Sequence, residues 1–241
     1  MPSILDDDTV RTCAKLCDRS YADPGDPDAW GSFEGEKFFQ HDATDTQAYS
    51  VRDEDSGTLF IVFRGTSNHR DWATNLQSWM TKSPYGWVHA GFLTAWRGIR
   101  EVMQKEILHA LGPKSRVVVT GHSLGGALAT LCSVDLAQTI GVKDIACVTF
   151  GSPRVGGRSF RKAFREAGIK SGRYAIQADP VIYIPSVFMA YVHVPGKVLL
   201  DPNANCLSFT LDVMCSPIDD HKTEQYIKML EGDANAPQAG V

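Results

Sequence analysis

One stretch of the chain, residues 116–132, constrains the fold more than any other part of the sequence. Its positions 117–119 are three consecutive valines, which is typical of a strand buried on both faces of a sheet. Residues 121–125 read Gly-His-Ser-Leu-Gly and fit the pattern G-x-S-x-G, which occurs where a strand turns sharply into a helix. The stretch therefore predicts a strand, a sharp turn and a helix that lies close against the sheet.

Ser123, at the centre of this turn, is the candidate nucleophile. We expect its backbone to be strained, with glycine at 121 and 125 because a Cβ atom there would crowd the next strand or the helix. The serine would stand at the N-terminus of the helix, where backbone N–H groups and the helix dipole favour developing negative charge. A solvated serine in a glycine-rich turn is the alternative, and the valine strand and small-residue helix favour the nucleophile.

Strands and helices alternate along the middle of the chain, which predicts an α/β fold with a mostly parallel central sheet and helices on both faces. The 241 residues suit a single domain, which we place at residues 1–231. Residues 232–241 are rich in Gly, Ala, Pro and Gln and are interpreted as a disordered tail. The sequence predicts helices at 8–21, 69–76, 92–111, 124–132, 159–167 and 222–230, strands at 47–52, 58–64, 116–120, 144–150 and 174–178, and a β-hairpin at 192–200.

Charge and composition narrow the range of partners. The formal net charge is −4 and no block of lysine or arginine stands out, so we expect no nucleic-acid partner. No cluster of His, Cys and Asp has zinc-like spacing, and the sequence implies no metal or organic cofactor. The acidic N-terminus lacks the apolar region of a signal peptide, so we expect an intracellular protein or a secreted one whose leader was removed.

A serine nucleophile needs a histidine to take its proton and a carboxylate to orient that histidine. In hydrolases built on such a strand–turn–helix unit, the three residues follow one another along the chain as Ser, Asp and His. Two histidines follow Ser123, namely His193 and His221. We favour His221, which begins the last predicted helix directly after a loop. His193 alternates within a strand-like pattern and is interpreted as an ordinary strand residue.

The favoured acid is Asp179, which ends a predicted strand before Pro180 and so falls at the carboxyl edge of the sheet. Asp201 precedes Pro202 in the same local pattern and is the second choice. The other acids considered are two that adjoin His221 and suit solvation or capping, Asp219 and Asp220, and one inside the helix after Ser123, Asp135.

The oxyanion formed during acyl transfer needs at least two donors aimed at one point. The N–H of Leu124, the residue after the nucleophile, is one candidate. Thr66 is the other, because it follows strand 58–64 and offers both a backbone N–H and a hydroxyl. Thr66 could also cap the short helix predicted after it.

Several apolar residues are candidates for contact with the acyl chain of a substrate. They are Tyr21, Val181 and Ile184, with Trp72 from the predicted helix at 69–76. The run 181–194 suits plain core as well as a groove. Cys206 and Cys215 close a short loop after a turn-rich stretch, and their spacing leaves open whether they form a disulfide.

Taken together, these motifs resemble the class 3 lipases, the filamentous-fungal triacylglycerol lipase type of α/β-hydrolase. The resemblance covers about residues 21–226. One departure is that an aromatic residue usually follows the catalytic histidine by three, whereas here Glu224 occupies that position and Tyr226 comes later. The motifs that carry the resemblance are Phe63-Arg64-Gly65-Thr66, Trp72, Val88-His89-Ala90-Gly91-Phe92, the run from Gly121 to Gly126, the run from Phe150 to Gly156, Asp179, and Asp220-His221.

The resemblance implies specific roles for these residues. Ser123, Asp179 and His221 would form the catalytic triad, and Thr66 and Leu124 the oxyanion hole. Residues 68–77 would be the lid over the site. Cys206 and Cys215 look like a disulfide pair found in some members of the family.

The expected function is hydrolysis of carboxylic esters, with acylglycerols of short to medium chain length as substrates. A feruloyl-type esterase or a phospholipase A1 on the same scaffold is the neighbouring alternative, and a non-catalytic binding protein is the remote one. The lid segment is polar apart from Trp72, Ala73 and Leu76, so we expect at most transient contact with a lipid interface and weak interfacial activation. The oligomeric state stays open.

Overall fold

A seven-stranded sheet lies at the centre of the molecule in the order β1-β2-β3-β6-β7-β8-β9. The computed structural model describes residues 5–24, 26, 30, 33–66, 79–111, 115–201 and 221–233. The pairs β1–β2 and β2–β3 are antiparallel and the remaining pairs are parallel, which gives the mostly parallel sheet that was predicted. The strands are β1 (Glu34–His41), β2 (Thr46–Asp53), β3 (Thr58–Phe63), β4 (Met80–Ser83), β5 (Gly86–His89), β6 (Val117–His122), β7 (Ile145–Phe150), β8 (Lys170–Ala175) and β9 (Lys197–Leu199), of which β4 and β5 form a separate hairpin.

Helices cover both faces of this sheet because the central strands are buried on both sides. Every residue of β3, β6 and β7 is buried. On one face, Val117 and Val119 pack among residues of α2 (Ala90–Ala110) and α3 (Leu124–Asp135). On the other face, Val118 packs among residues of α1 (Asp7–Arg19) and α5 (Thr223–Asp233). The alternation of side chains along a strand thus divides one valine run between two cores.

A fifth helix, α4 (Arg158–Glu166), lies beside β5 rather than over the middle of the sheet. Its buried side chains, Phe160 and Phe164, join the core on the α2 side. The turn at Gly156 makes isolated bridges to Val88 of β5 and to Val192, so the hairpin and α4 are tied together.

Three details of the sequence prediction were wrong. Helix α1 covers Asp7–Arg19 rather than the predicted 8–21, and it is capped by Asp6, whose Oδ1 accepts from Thr9 N at 2.7 Å. Strand β8 begins at Lys170 and ends at Ala175, earlier than the predicted 174–178, because its polar first half carries no hydrophobic pattern. Strands β1, β4 and β5 were not predicted.

The predicted hairpin at 192–200 is also wrong. Gly196 adopts a φ of +94°, but the chain beyond it does not fold back on itself. The carbonyl of Gly196 accepts from Arg173 N at 2.7 Å, so the following residues join the sheet edge as β9, parallel to β8. The turn at Gly196 therefore leads into a strand that pairs with β8, which lies earlier in the chain, and not into a hairpin.

The final helix extends to Asp233 and includes two residues that were assigned to the tail, while residues 234–241 lie outside the described part. The predicted lid at 68–77, with Trp72, and the pair Cys206 and Cys215 also lie outside it. The four cysteines that the structure describes, Cys13, Cys17, Cys132 and Cys147, are buried and free. Among the described helices, none is long and apolar enough to cross a membrane.

Candidate active site

The turn between β6 and α3 holds Ser123 in a strained backbone conformation. Its φ is +57° and its ψ is −126°, a region that side-chain-bearing residues rarely adopt. A Cβ atom on Gly121 would lie 2.3 Å from the carbonyl carbon of Gly125, and one on Gly125 would lie 2.2 Å from the carbonyl oxygen of Phe63. The two glycines therefore permit the close contact of strand, turn and helix that the motif predicts. Ser123 is buried, and its Oγ has no hydrogen-bond partner among the described residues.

Asp179 and His221 form a buried pair close to this turn. Both side chains are 0% exposed, and His221 Nδ1 lies 2.8 Å from Asp179 Oδ2. The other carboxylate oxygen, Oδ1, accepts from Val181 N at 2.8 Å and so caps the short 3-10 turn Pro180–Tyr183. One oxygen is thus fixed by the backbone while the other faces the imidazole. A carboxylate that accepts from Nδ1–H leaves Nε2 as the basic nitrogen of the ring.

Tyr226 completes the surroundings of Asp179. Its hydroxyl donates to Asp179 Oδ2 at 2.7 Å, the same oxygen that faces His221, and accepts from Ile176 N at 3.4 Å. Burial and the neighbouring carboxylate raise the pKa of Tyr226 well above its ordinary value, so the phenol keeps the proton that it donates. In the sequence, Tyr226 stands out only as an aromatic residue later than expected, and this role was not predicted. The role could have been predicted from the position of Tyr226 early in α5, shortly after His221.

The imidazole of His221 packs against the serine turn. Its ring centroid lies 4.5 Å from that of His122, the residue directly before Ser123. The end of β7 closes the same space, since Ser123 N donates to the carbonyl of Phe150 at 3.0 Å. A Cβ atom on Gly151 would lie 2.7 Å from Asp179 Oδ2 and 2.9 Å from His221 Cε1. The structure therefore brings the predicted serine, acid and histidine to one point at the carboxyl ends of β6, β7 and β8.

The two candidate oxyanion donors also lie together. Thr66 and Leu124 line a cavity of about 300 Å³, along with the backbone that leaves β3 at Arg64 and Gly65. Tyr21 lies next to this cavity lining. Its hydroxyl is 2.9 Å from His122 Nδ1, and its ring centroid is 5.8 Å from the Arg64 guanidinium. Burial raises the pKa of Tyr21. Tyr21 thus supports the turn that carries the serine.

The other candidates occupy different positions. Val181 is buried and Ile184 is partly buried against the α2-side core, and neither lines the cavity at Thr66. His193 Nε2 lies 2.7 Å from the carbonyl oxygen of Ile182. Asp201 Oδ1 accepts from Gln177 N at 2.7 Å.

Asp135 lies in α3 and is enclosed by five side chains that donate to it. Asp219, Asp220 and Trp72 lie outside the described residues. The donors to Asp135 are Tyr85, Trp96, Arg100, Gln104 and Thr139.

Comparison with known proteins places this geometry in a family. The sequence model of the family described as Lipase (class 3) matches residues 60–189. The lipase of Rhizomucor miehei is 31% identical over 172 residues, which are 66% of this chain and 46% of that protein. The secreted mono- and diacylglycerol lipase A of Penicillium cyclopium is 29% identical over 191 residues, 77% of this chain and 62% of that protein. This chain thus spans less than half the length of the Rhizomucor relative.

The fold agrees with the sequence match. The structure of Rhizomucor miehei triacylglyceride lipase superimposes with a TM-score of 0.75 at 28% identity, over 82% of this chain and 81% of that one. This likeness confirms an α/β-hydrolase fold. Because the matched residues make up more than half of its length, the chain belongs to the class 3 lipase family.

Proposed function

We propose that the protein is a serine carboxylic-ester hydrolase that cleaves acylglycerols, with Ser123 as nucleophile, His221 as base and Asp179 as the orienting acid. The observation that carries the proposal is the fully buried contact of 2.8 Å between His221 Nδ1 and Asp179 Oδ2, next to a serine in strained backbone. The names of the relatives, which are lipases, support the same assignment.

In the proposed mechanism, Ser123 Oγ attacks the ester carbonyl while His221 Nε2 accepts the hydroxyl proton. The carbonyl oxygen becomes negatively charged and accepts hydrogen bonds from Leu124 N–H and from Thr66. His221 then gives its proton to the leaving alcohol, and the acyl group stays bonded to Ser123. A water molecule, deprotonated by His221, attacks this acyl-enzyme, which releases the carboxylic acid and restores Ser123.

The surroundings of Asp179 suit this cycle because they fix the position of its carboxylate. Val181 N–H, His221 Nδ1–H and Tyr226 O–H all donate to it. A fixed negative charge beside the imidazole then stabilises the imidazolium that forms when Ser123 loses its proton.

The decisive experiment is hydrolysis of a p-nitrophenyl ester series by wild type and Ser123→Ala. We expect the variant to lose at least roughly a thousandfold in rate, because the nucleophile is gone. Ser133→Ala is the matched control, since Ser133 is a buried serine on the same helix whose hydroxyl donates to the Ala129 carbonyl. A Ser123→Ala variant as active as Ser133→Ala would refute the proposal.

The substrate class is tested by comparing tributyrin, methyl ferulate and phosphatidylcholine. We propose tributyrin as the best of the three, since the relatives that match most of this chain are named as lipases that include a mono- and diacylglycerol lipase. Fastest turnover of methyl ferulate or phosphatidylcholine would instead assign a feruloyl-type esterase or a phospholipase A1. We further propose weak interfacial activation, which a sharp rise in rate above the solubility limit of tributyrin would contradict.

We also propose that the protein acts outside the cell. The Penicillium cyclopium relative is named as a secreted lipase, which supports this location. Detection of the protein and its esterase activity in culture medium tests the proposal, and activity confined to the cell lysate would contradict it.

A further inference from the structure

One side of the molecule exposes aromatic rings around an open groove. Phe188 is 97% exposed and Trp87 is 50% exposed. Both line a groove of about 600 Å³, with Val187 beside them. Trp87 belongs to the β4–β5 hairpin and Phe188 to the 3-10 turn Val187–Met189, so two separate elements contribute apolar side chains to the same surface.

A row of cations runs along the adjacent helix α4. Arg158, Arg161, Lys162 and Arg165 are all exposed. At the helical repeat of about 3.6 residues per turn these four positions fall on one face, opposite the buried phenylalanines of α4. Glu166 is the one acidic residue of the helix and lies 3.8 Å from Lys162 Nζ in an exposed ion pair. The face therefore keeps a positive charge, although the whole chain has a net charge of −4.

The aromatic groove and the cationic row are one continuous surface. Arg158 begins α4 and also lines the groove together with Trp87 and Phe188. A hydrogen bond joins the hairpin to α4, because Trp87 N donates to the side-chain Oγ of Ser159 at 2.9 Å. Among the described residues that line the groove, none is acidic. We call this surface the aromatic–basic face; it consists of Trp87, Val187, Phe188, Arg158, Arg161, Lys162 and Arg165.

We propose that the aromatic–basic face docks the enzyme onto an anionic phospholipid surface. The inference rests on the proposed function and deepens it, since it names the kind of surface on which the hydrolase works. Exposed aromatic rings enter the boundary between headgroups and acyl chains, and cations beside them are attracted to anionic lipid. Each lysine or arginine held near such a surface strengthens binding by about fivefold. Four cations beside exposed aromatic rings fit a negatively charged lipid layer better than a neutral one.

The test is co-sedimentation with phosphatidylcholine vesicles that either contain or lack phosphatidylserine. All proteins carry Ser123→Ala so that the vesicles stay intact. We expect binding to the anionic vesicles at low salt, little binding to the neutral ones, and weaker binding as salt is raised. Neutralising three of the four cations with Arg161→Gln, Lys162→Gln and Arg165→Gln should weaken anionic-vesicle binding at least about tenfold. Phe188→Ser should weaken it as well.

The matched control neutralises three exposed cations elsewhere, with Lys15→Gln, Lys105→Gln and Lys143→Gln. The control should bind like the parent protein. Equal loss in both triple variants, equal binding to neutral and anionic vesicles, or binding that survives loss of the row would each overturn the inference. So would a lipid-free dimer that the triple variant on α4 dissociates, because a second copy would then occupy the face.

Hydrolysis of a soluble p-nitrophenyl ester separates this inference from the proposed function. It is measured with the same two triple variants in a background that retains Ser123. We expect both to match wild type, because neither set of residues contacts the reacting groups. Normal soluble-ester hydrolysis without selective vesicle binding would refute the docking face alone. Failure of wild type to hydrolyse any ester would refute the proposed function.

Discussion

Tyr226 shares the oxygen of Asp179 that faces His221, which makes it a positioning residue for the acid. Tyr226→Phe removes one donor to Oδ2 at 2.7 Å without leaving a cavity. Without this donor, Oδ2 is held less firmly in line with His221 Nδ1, so the imidazole is less well oriented towards Ser123. We expect kcat to fall roughly tenfold with little change in KM, because orientation of the base matters in the transition state and not in substrate binding.

Tyr49→Phe is the control for this prediction, because Tyr49 is a buried tyrosine of β2 in the same core. A purely structural role for Tyr226 would lower the amount of folded enzyme in both variants and leave kcat per folded molecule unchanged. A kcat of folded Tyr226→Phe equal to that of wild type would therefore contradict the positioning role.

Gly151 lies where any side chain would displace the acid–base pair. Its φ is +55°, and an added Cβ atom would come within 3.0 Å of Asp179 Oδ2 and of His221. We expect Gly151→Ala to reduce kcat at least about a hundredfold, since misplacing catalytic groups by about 1 Å has this effect. Gly168→Ala has a similar backbone strain at φ +70° but meets nothing within 4 Å, so it should lose stability and not activity. Equal kcat in the two folded variants would contradict the prediction.

Among the elements, α3 is joined to its neighbours by one buried carboxylate as well as by its apolar packing. Asp135 accepts from Trp96 Nε1 at 3.1 Å, Gln104 Nε2 at 2.9 Å and Arg100, so it joins α3 to α2. Tyr85, between β4 and β5, donates to it too, and burial with this carboxylate raises the pKa of Tyr85 to about 12. The same helix carries the serine turn, so the network also holds the site in place.

We expect Asp135→Asn to lower the free energy of unfolding by about 2–3 kcal/mol, because the amide accepts fewer hydrogen bonds and leaves buried donors around it unpaired. Urea denaturation measures this. Asp144→Asn is the matched control, since the Asp144–Lys170 pair is exposed and such a pair contributes about 1 kcal/mol or less. A similar loss of unfolding free energy in both variants would show that the buried Asp135 network stabilises the protein no more than an exposed ion pair does.

The elements that were predicted well are those whose structure is determined by residues close in sequence. In the unit β6–Ser123–α3, the valine run favours a strand, the two glycines permit the sharp turn, and the small residues that follow favour a helix packed close to the sheet. Strands β1 and β9 lie at the sheet edges, where partner strands rather than local pattern decide the pairing, and their sequences gave weaker or misleading signals. The contact between Asp179 and His221 joins residues 42 apart in the sequence. The order of Ser, Asp and His along the chain suggested which residues pair. The distance and orientation of the pair depend on the fold and could not be predicted from the sequence.

At the scale of the whole molecule, His193 is one group whose protonation links the stability of the fold to pH. It lies among positive charges, and burial with Arg173 and Arg154 lowers its pKa from 6.5 to about 3. Its Nε2 contacts the Ile182 carbonyl at 2.7 Å, which the neutral ring satisfies as a donor. The folded protein therefore excludes a proton that the unfolded chain takes up below about pH 6.5. His193 thus leaves the native state undisturbed above that pH and destabilises it progressively as pH falls from about 6.5 towards about 3.

We therefore expect wild type to lose stability between about pH 7 and about pH 5, with up to about 2 kcal/mol of the loss due to His193. His193→Gln keeps a donor for the Ile182 carbonyl but binds no proton, so its free energy of unfolding should change less over the same interval. Urea denaturation of both proteins at the two pH values isolates the difference, because their remaining titrating groups are the same. His109→Gln, at an exposed position of α2, should retain the wild-type pH dependence. If His193→Gln and wild type lose equal stability on acidification, His193 binds its proton equally well in the folded and unfolded states.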